Sequence, residues 1–419
     1  MPVKTVSHCA EEALKFVNSK FTSFSSTSSH NHGKVLDAFC DADVSDFHFH
    51  GSTGYGYGDS GREKLDELYA RVFKAEAAVV RTQFVSGTHT IVRALFGIAR
   101  PGDEVVAAVG RPYDTLNRAI GAQGGNGSGT LAEWGIGYRE VSWKDDGKPD
   151  LDKLGASISP KTKVVLIQRS RGYQLRQSVS VEEIGKMVAL VKRINPGTVC
   201  LVDNCYGEFV EKREPTEVGA DLTAGSLIKN PGGGIAPSGG YIVGRRDLIA
   251  EVGHSYSAPG LGAQIGATLC DPRILFQGLF MAPLVVAESL KGAVFTARLF
   301  ELLGIETSPT SDAFRTDIVQ GVKLGNKEMI KAFCRYYQTA SPVDSMVTPE
   351  ASMLPGYADP VIMAAGTFVQ GSSIELSADA PLREPYWLFI QGGLSFEYTR
   401  LTITRAVEKM AADGELKIP

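Results

Sequence analysis

Residues 225–244 read GSLIKNPGGGIAPSGGYIVG, and the rest of the chain is best interpreted outward from this stretch. Lys229 ends an apolar, strand-like run that begins at Ser226, and the glycines at 232–234 follow it closely. A lysine at the edge of an apolar run is unusual, because burying an ammonium group is costly. Desolvation would lower its pKa and make it a good imine-forming nucleophile, and the glycines would leave room for a flat ring and a phosphate. The alternative is an exposed lysine before a glycine loop.

An acidic residue upstream gives Lys229 a chemical partner. Asp203 ends the apolar segment TVCLVD at 198–203, so it is predicted at the carboxyl end of a strand, where open α/β sheets bind ligands. Taken alone, Asp203 is more simply a residue that caps the following turn. Taken together, the two residues match pyridoxal 5'-phosphate (PLP), which needs an acid on its ring nitrogen and a lysine on its aldehyde as a Schiff base.

A phosphate-binding turn is predicted earlier in the chain. Ser86, Gly87 and Thr88 follow a predicted strand and open a helix, so their backbone N–H groups would form an anion site at a positive helix end. Ser226, three residues before Lys229, can add a hydroxyl. Such N-caps are common, so the order of phosphate turn, aspartate and Ser-x-x-Lys carries the PLP prediction.

Two further side chains are candidates for contact with the cofactor ring. Tyr113 follows a predicted strand at 103–110, where it could stack on the ring and donate a proton. An equally good interpretation is a tyrosine packed at a helix start. His89 could also lie near the ring, although a histidine at a helix start is more often structural.

Apolar segments and helices alternate from about residue 77, and this order predicts an α/β fold. KVVLIQRS at 163–170 is rich in β-branched residues, and the segment from Ser180 to Asn195 opens with a capping box. Continuous apolar strands separated by helices are typical of a mostly parallel sheet that is covered on both faces.

The sequence changes character after about residue 285, which predicts a second, smaller α+β domain. Helices are expected at 286–304 and 325–338, and residues 401–417 should begin as a strand and finish as a helix. The predicted division is an N-terminal segment at 1–48, a large PLP-binding domain at 49–285 and a C-terminal domain at 286–419. Within the first segment, residues 5–20 predict a short helix and the Ser/Thr-rich residues 21–33 a loop or connector.

The composition favours a cytoplasmic protein without nucleic-acid or membrane partners. The 419 residues carry a formal net charge of -4, and no apolar run approaches the length of a membrane span. The six cysteines are scattered, with no CxxC pair and no zinc-type spacing, so no metal site is predicted. Cysteines that are scattered in this way fit a protein of a reducing compartment.

Several segments together resemble a known family. The order YGYGDSGREKLDELYA, VSGTHTIVRALFG, RPYDTL, VDNCYGEF, SLIKNPGGGIAPSGGYIVG and SSIELSADAPLREPY resembles the methionine-gamma-lyase-like proteins, which are often labelled cystathionine beta-lyases involved in aluminium resistance. They are similar to the cystathionine branch of fold-type-I PLP enzymes. The resemblance implies an aspartate-aminotransferase-like fold, active sites shared across a homodimer interface and usually a homotetramer.

The resemblance also implies roles for individual residues around the cofactor. Lys229 would be the Schiff-base lysine and proton shuttle, and Asp203 would contact the ring nitrogen. The other implied contacts, to the phosphate or the ring, are Gly87, Thr88, Ser226, Tyr113 and, from the neighbouring subunit, Tyr55 or Tyr57.

Two departures from the family pattern leave roles open. The better-known cystathionine enzymes carry a Tyr-x-Arg pair at the cross-subunit position, whereas here Arg62 follows Tyr57 only after four other residues. Those enzymes also end with an arginine for the substrate carboxylate. Arg383, Arg400 and Arg405 compete for that role, and Arg383 is favoured because SIELSADAPLR leads into it.

The predicted activity is elimination of a β- or γ-leaving group, typically a thiol, from an amino acid, which gives a 2-oxo acid and ammonia. Replacement by an incoming nucleophile, as in synthases, uses the same residues and stays open. Two more distant alternatives are a non-catalytic scaffold and a nucleotide-binding protein that uses the glycine-rich loop at 124–129, which lacks the strand-turn-helix context of a dinucleotide motif. That loop could instead face the substrate.

Overall fold

Two β-sheets organise the computed structural model, which describes residues 5–122 and 129–418. The larger sheet has seven strands, which in chain order are β1 (Ala77–Arg81), β2 (Glu104–Ala107), β3 (Gly137–Glu140), β4 (Thr162–Gln168), β5 (Val199–Asp203), β6 (Leu222–Ser226) and β7 (Gly240–Gly244). Their order across the sheet is β1-β7-β6-β5-β4-β2-β3, with parallel pairing from β6 to β3 and antiparallel pairing on both sides of β7. The mostly parallel sheet predicted from the apolar segments is confirmed.

The smaller sheet belongs to the C-terminal part of the chain. Its five strands are β8 (Thr307–Ser308), β9 (Val319–Lys323), β10 (Val361–Ala364), β11 (Ser377–Pro381) and β12 (Trp387–Gln391). They pair antiparallel in the order β10-β11-β12-β9-β8. The predicted α/β class with an additional, smaller sheet unit is therefore confirmed.

Helices cover both faces of the larger sheet. On β4, Val164 and Leu166 pack into one apolar cluster, whereas Val165 and Ile167 pack into a second cluster on the opposite face. The described helices are α1 (Val6–Asp41), α2 (Ser60–Val72), α3 (Gly87–Ile98), α4 (Asp114–Ile120), α5 (Leu151–Ser157), α6 (Val181–Ile194), α7 (Arg246–Tyr256), α8 (Pro272–Leu302), α9 (Lys327–Thr339), α10 (Ser373–Leu376) and α11 (Phe396–Ala412).

The N-terminal helix is longer than predicted. α1 continues through the Ser/Thr-rich residues 21–33, so the prediction of a loop there is wrong. Asn31 Nδ2 donates to the backbone oxygens of Phe209 at 2.9 Å and Glu211 at 3.1 Å, and the Ser28 hydroxyl donates to the oxygen of Pro283 at 3.2 Å. These contacts and packing against α8 hold a segment of modest helix propensity in a helix.

The long helix α8 crosses the predicted domain boundary at residue 285. It begins at Pro272 and continues past Pro283, whereas the sequence predicts a helix only from residue 286. Within the described part of the chain, α8 alone is long and apolar enough to cross a membrane, but 72% of its most apolar window is buried inside the protein. It packs against α1, β9 and β12 as a core helix, and the division of the chain at 285 stays a prediction.

The last helix replaces the strand predicted at the start of residues 401–417. Ser395 caps α11 by accepting a hydrogen bond from the Tyr398 N–H at 3.2 Å. Ile403, Val407 and Met410 are fully buried at helical spacing, where they join the core with α8 and α9. The β-branched residues favour a strand locally, but the apolar period of the whole segment is helical.

A buried polar cluster lies behind the carboxyl ends of β5 and β6. The Tyr241 hydroxyl donates to Glu208 Oε1 at 2.8 Å, and Asn204 Nδ2 donates to Glu214 Oε2 at 3.0 Å. Glu208 Oε2 has no hydrogen-bond partner among the described residues. Burial raises the pKa of Glu208 to about 8, so this side chain carries a proton at neutral pH.

We expect Glu208 to make the protein less stable as pH rises from about 6 to 8.5. Its pKa is higher in the folded state than the ordinary 4.5, so the folded state binds the additional proton and the free energy of unfolding falls across this window. Glu208→Gln should remove a dependence of up to about 3 kcal/mol. Thermal unfolding of both proteins across this pH range measures the difference.

The exposed Glu182 provides the matched control for this prediction. Glu182→Gln should leave the pH dependence of the melting temperature as in the unmodified protein, because 69% of the Glu182 side chain is exposed. Parallel pH profiles for the unmodified protein and Glu208→Gln would show that Glu208 is ionised alike in the folded and unfolded states.

Candidate active site

A cavity of about 710 Å³ lies between the carboxyl ends of the parallel strands and the smaller sheet. Open α/β sheets bind ligands at this edge. Gln168 and Asp203 face it from the ends of β4 and β5, and Asp379 and Gln391 face it from β11 and β12. The sequence-predicted residues that line the cavity are Ser86, Gly87, Thr88, Tyr113, Asp203, Ser226 and Lys229.

Lys229 lies in a turn three residues beyond β6, rather than at the end of a strand as predicted. Its Nζ stands 3.4 Å from the centroid of the Tyr206 ring. Burial lowers the pKa of Lys229, but the acidic side chains of Tyr206, Cys205 and Asp203 outweigh this effect, and the net pKa is raised. The lowered pKa predicted from desolvation is therefore wrong for this structure, because three acidic groups face the amine.

Asp203 is buried at the end of β5, with 2% of its surface exposed. Its Oδ1 accepts the N–H of Cys205 at 3.1 Å. Burial raises the pKa of Asp203, although Lys229 and Arg176 act in the opposite direction. No basic nitrogen in the described part of the chain lies within the 4.0 Å of an ion pair with Asp203. A cationic ligand group bound in the cavity would stabilise this buried carboxylate.

The first turn of α3 presents backbone N–H groups at the cavity wall. Ser86 caps the helix by accepting the N–H of His89 at 3.1 Å. The N–H groups of Gly87 and Thr88 have no acceptor among the described residues. A Cβ added at Gly87 would lie 3.4 Å from the Cβ of Ser226, so the turn meets the end of β6 closely. Free amides, a helix N-terminus and a serine hydroxyl together suit a phosphate.

The glycines after Lys229 have a packing role that differs from the predicted one. A Cβ on Gly232 would lie 1.7 Å from the backbone oxygen of Leu227, and one on Gly233 would lie 2.4 Å from the backbone oxygen of Gly278 in α8. None of the glycines at 232–234 lines the cavity. They allow the turn to dock on α8, so the prediction that they make room for a ring and a phosphate is wrong.

Tyr113 lines the cavity beside the start of α4, and its N–H donates to Gln168 Oε1 at 2.9 Å. Burial and then the charge of Asp203 raise the pKa of Tyr113 well above its ordinary value, so its hydroxyl keeps the proton. His89 does not line the cavity, and its Nδ1 accepts the N–H of Val85 at 3.2 Å. His89 therefore has a structural role at the start of α3, as considered from the sequence.

Tyr206 is a site residue that the sequence interpretation missed. Its backbone φ is 70°, a left-handed conformation that is rare for a bulky side chain and is concentrated at functional sites. This conformation brings the ring under Lys229 Nζ, and the Ser373 hydroxyl donates to the Tyr206 hydroxyl at 3.4 Å. Nothing in the periodicity of the segment after Asp203 marks Tyr206.

Asp379 on β11 was also missed. Its Oδ2 accepts hydrogen bonds from the Tyr173 hydroxyl at 3.1 Å and from Gln391 Nε2 at 2.5 Å. Burial raises the pKa of Asp379 to about 6, although Tyr173, Lys229 and Gln391 each lower it. Asp379 lies in the segment SADAPLR, in which sequence reasoning favoured Arg383. An acidic residue in the middle of a buried strand was the overlooked signal.

The candidate substrate arginines lie outside the cavity formed by the described residues. Arg383 pairs with Asp359 at 3.1 Å and Arg400 pairs with Glu397 at 2.7 Å. Arg405 lines a separate surface depression beside α9. Neither Arg383 nor Arg400 lines the cavity, although the charge of Arg383 lowers the pKa of Asp114 in the cavity wall, so their assignment to the substrate carboxylate stays a prediction.

Tyr55 and Tyr57 are more than 70% exposed and stack on each other with ring centroids 5.5 Å apart. Neither lines the cavity of its own chain. Arg62 is buried below them, and its Nη1 donates to the backbone oxygens of Gly56 and Gly266 at 2.9 Å each. Arg62 therefore holds the loop that carries the two tyrosines.

Residues 124–128 of the glycine-rich loop at 124–129, considered for nucleotide binding or substrate contact, lie outside the described residues. Among the described residues, no group of histidine, cysteine and acidic side chains could hold a metal ion. Cys40, Cys200, Cys205, Cys270 and Cys334 are free thiols, and Cys205 lines the cavity.

The donors and charges around the cavity fit PLP. Gly87 and Thr88 offer unpaired amides for a phosphate. Asp203 offers a buried carboxylate without an ion-pair partner, which suits a protonated ring nitrogen, and Lys229 offers an amine for an aldehyde. Tyr113 supplies an aromatic wall.

Comparison with known proteins identifies the family. A profile of the family described as methionine gamma-lyase matches residues 6–411. The chain belongs to the methionine gamma-lyase family. Its members are PLP-dependent enzymes of the lyase type, so the predicted family and cofactor are confirmed.

Relatives of high similarity extend over nearly the whole chain. The uncharacterized protein YnbB of Bacillus subtilis is 51% identical over 383 residues, which is 91% of each chain. A Listeria monocytogenes structure, named provisionally as a cystathionine beta-lyase involved in aluminium resistance, is 49% identical with a TM-score of 0.93 and covers 96% of this chain and 99% of its own.

A more distant structure shares the fold. An O-acetylhomoserine (thiol)-lyase of Campylobacter jejuni, assigned provisionally, is 18% identical with a TM-score of 0.54 and covers 82% of this chain and 86% of its own. That protein carries a pyridoxyl group on a lysine. At this identity the likeness concerns the fold, which is that of the fold-type-I PLP enzymes.

Proposed function

We propose that the chain is a PLP-dependent carbon–sulfur lyase, which eliminates a β- or γ-thiol group from an amino acid to give a 2-oxo acid and ammonia. The observation that carries the proposal is that Lys229, Asp203 and the first turn of α3 face one cavity. The family membership and the naming of the Listeria relative as a cystathionine beta-lyase support the reaction class.

Each side chain has a proposed place around the cofactor. Lys229 would hold the aldehyde carbon, Asp203 the ring nitrogen, and Tyr113 one face of the ring. The phosphate would be bound by Ser86, Gly87, Thr88 and Ser226. When bound, PLP supplies an electron sink for the electron pair left at the substrate Cα.

Lys229 would also move the proton. As a free amine, its Nζ would take the proton from the substrate Cα, and the Tyr206 ring would hold the ammonium that results. A cation bound to Asp203 would cancel one of the charges that raise the pKa of Lys229. Cofactor binding would therefore lower the pKa of Lys229 and leave more of it as the free amine, which is the form that can take a proton.

Tyr113 would assist departure of the leaving group. Its hydroxyl keeps its proton at neutral pH and faces the cavity, so it could donate to the sulfur as the carbon–sulfur bond breaks. For a γ-leaving group, Lys229 would also move a proton from Cβ.

The active unit is proposed to be a homodimer with shared sites, further assembled as a tetramer in the cytoplasm. Tyr55 and Tyr57 are exposed, and the Tyr55 backbone oxygen accepts the N–H of Gly266 at 2.9 Å, in a segment that also carries the exposed side chains of Leu261 and Leu269. A second copy of the chain would cover this surface, and the tyrosines would reach the phosphate in its cavity. The free thiols suit a reducing compartment.

A substrate screen tests the proposal. Purified PLP-loaded protein is incubated with S-substituted cysteines and homocysteines, and thiol, ammonia and 2-oxo acid are measured. We expect the three products in equal amounts; pyruvate indicates β-elimination and 2-oxobutyrate indicates γ-elimination. L-alanine, which has no leaving group, is the control substrate. Absence of 2-oxo acid from every sulfur amino acid would contradict the lyase assignment.

A further inference from the structure

The smaller sheet places a carboxylate on the cavity wall that the proposed elimination does not use. Asp379 is 9% exposed and lines the cavity. Both of its hydrogen bonds, from Tyr173 and Gln391, go to Oδ2. Oδ1 has no hydrogen-bond partner among the described residues, and no basic nitrogen of the described chain lies within the 4.0 Å of an ion pair with Asp379.

The charges around the cavity are mostly negative. The ionisable aspartates and lysines among the described lining residues are Asp114, Asp203, Asp344, Asp379 and Lys229. No arginine is among them, although arginine is the usual partner of a carboxylate because its planar fork binds both oxygens. The wall formed by β11 and β12 therefore suits a cation better than an anion.

We propose that Asp379 is a specificity-determining residue that binds an ammonium group on the side chain of the substrate, in addition to the reacting amine. The inference rests on the proposed function for the amino-acid nature of the substrate, and it narrows the substrates to thioether amino acids that carry a second amino group. The uncharged side chain of a simple alkyl thioether would leave Asp379 unpaired.

The hydrogen bonds of Asp379 explain why this carboxylate is suited to recognition. Tyr173 and Gln391 hold Oδ2, so the direction of Oδ1 is set before a ligand binds. Lys229 acts on Asp379 only from beyond ion-pair distance, so a substrate ammonium in contact with Oδ1 would stabilise this buried carboxylate more strongly. A charged hydrogen bond of this kind corresponds to roughly 10- to 100-fold in affinity.

Binding of two isosteric amino acids tests the inference without turnover. L-ornithine and L-norleucine have side chains of equal length, which end in an ammonium and in a methyl group, and neither has a leaving group. Isothermal titration of the PLP-loaded protein should show ornithine bound at least about 10-fold more tightly. Asp379→Asn should abolish this preference, because it removes the charge and keeps the shape.

Asp344→Asn is the matched control. Asp344 also lines the cavity but is exposed, so this variant lowers the cavity charge equally and should keep the preference for ornithine. Equal binding of the two ligands to the unmodified protein overturns the inference, and so does a preference that survives in Asp379→Asn. If the melting temperature shows that Asp379→Asn is unfolded, Asp379→Ser removes the same charge.

Turnover of a second matched pair separates this inference from the proposed function. S-(2-aminoethyl)-L-cysteine and S-propyl-L-cysteine, with their homocysteine counterparts, differ only in the terminal ammonium. Equal kcat/KM for both members supports the lyase and overturns the role of Asp379. No 2-oxo acid from any member overturns the lyase, while a preference for ornithine that Asp379→Asn abolishes still supports the cation site.

Discussion

Replacing Lys229 with alanine should give a colourless protein that folds normally and has lost the lyase activity by about 10⁴-fold or more. The proposed mechanism gives Lys229 both the covalent hold on the cofactor and the Cα proton. Removal of one nitrogen abolishes both tasks, which is why the expected effect is the largest in the molecule. The visible absorption spectrum reports the first task, and 2-oxo acid release reports the second.

Three controls separate this loss from unfolding. Lys323→Ala removes a partly exposed lysine on β9 that pairs with Glu306, and it should leave colour and activity unchanged. Lys229→Arg keeps a cation above the Tyr206 ring and should keep the melting temperature but not the covalent bond. Borohydride reduction of the unmodified protein, followed by peptide mass analysis, should place the pyridoxyl group on Lys229. An unchanged yellow spectrum in Lys229→Ala would refute the assignment.

Replacing Asp203 with asparagine should lower kcat by about 100-fold or more, with a smaller effect on KM. The carboxylate is proposed to keep the ring nitrogen protonated, and an amide has no negative charge with which to do so. Because Asp203 is buried without an ion-pair partner in the described chain, no other charge at that position compensates. Steady-state kinetics on the best substrate of the screen measures the change.

Asp114→Asn provides the matched control for Asp203. Asp114 lines the same cavity from the start of α4, so its replacement changes the overall charge by the same amount. We expect a change in kcat of only a few-fold. If Asp203→Asn retained nearly full kcat while binding PLP, the carboxylate would not act on the ring nitrogen.

The cofactor assignment could be predicted well from the sequence, because it depends on residues close to strand ends. Asp203 and Ser226 are the last residues of β5 and β6, and parallel strands bring their carboxyl ends to one edge. The turn at Gly87 also comes after a strand, since β1 ends at Arg81. Local pattern and sheet topology therefore agree for the residues proposed to hold PLP.

The substrate side of the cavity could not be predicted in this way. Asp379 and Gln391 come from the smaller sheet, whose position relative to the larger sheet depends on how both sheets pack around α8. The arginines chosen from the sequence do not line the cavity: Arg383 pairs with Asp359, and Arg400 pairs with Glu397.

Local patterns also failed where long-range contacts decide the conformation. The Ser/Thr-rich part of α1 is helical because Asn31 and Ser28 bond to distant backbone oxygens. The glycines after Lys229 are required by the backbone of α8, which no local period reveals.

By itself, the sequence determined the α/β class and the order of phosphate turn, Asp203 and Lys229. That order indicates the cofactor. Both results depend on apolar strands and on the residues at their ends. Only the tertiary structure decided the environment of Lys229. It raised the pKa of the amine by placing Tyr206, Cys205 and Asp203 against it. It also placed Asp379 across the cavity, because electrostatic effects and cavity shape arise from groups that are distant in the chain.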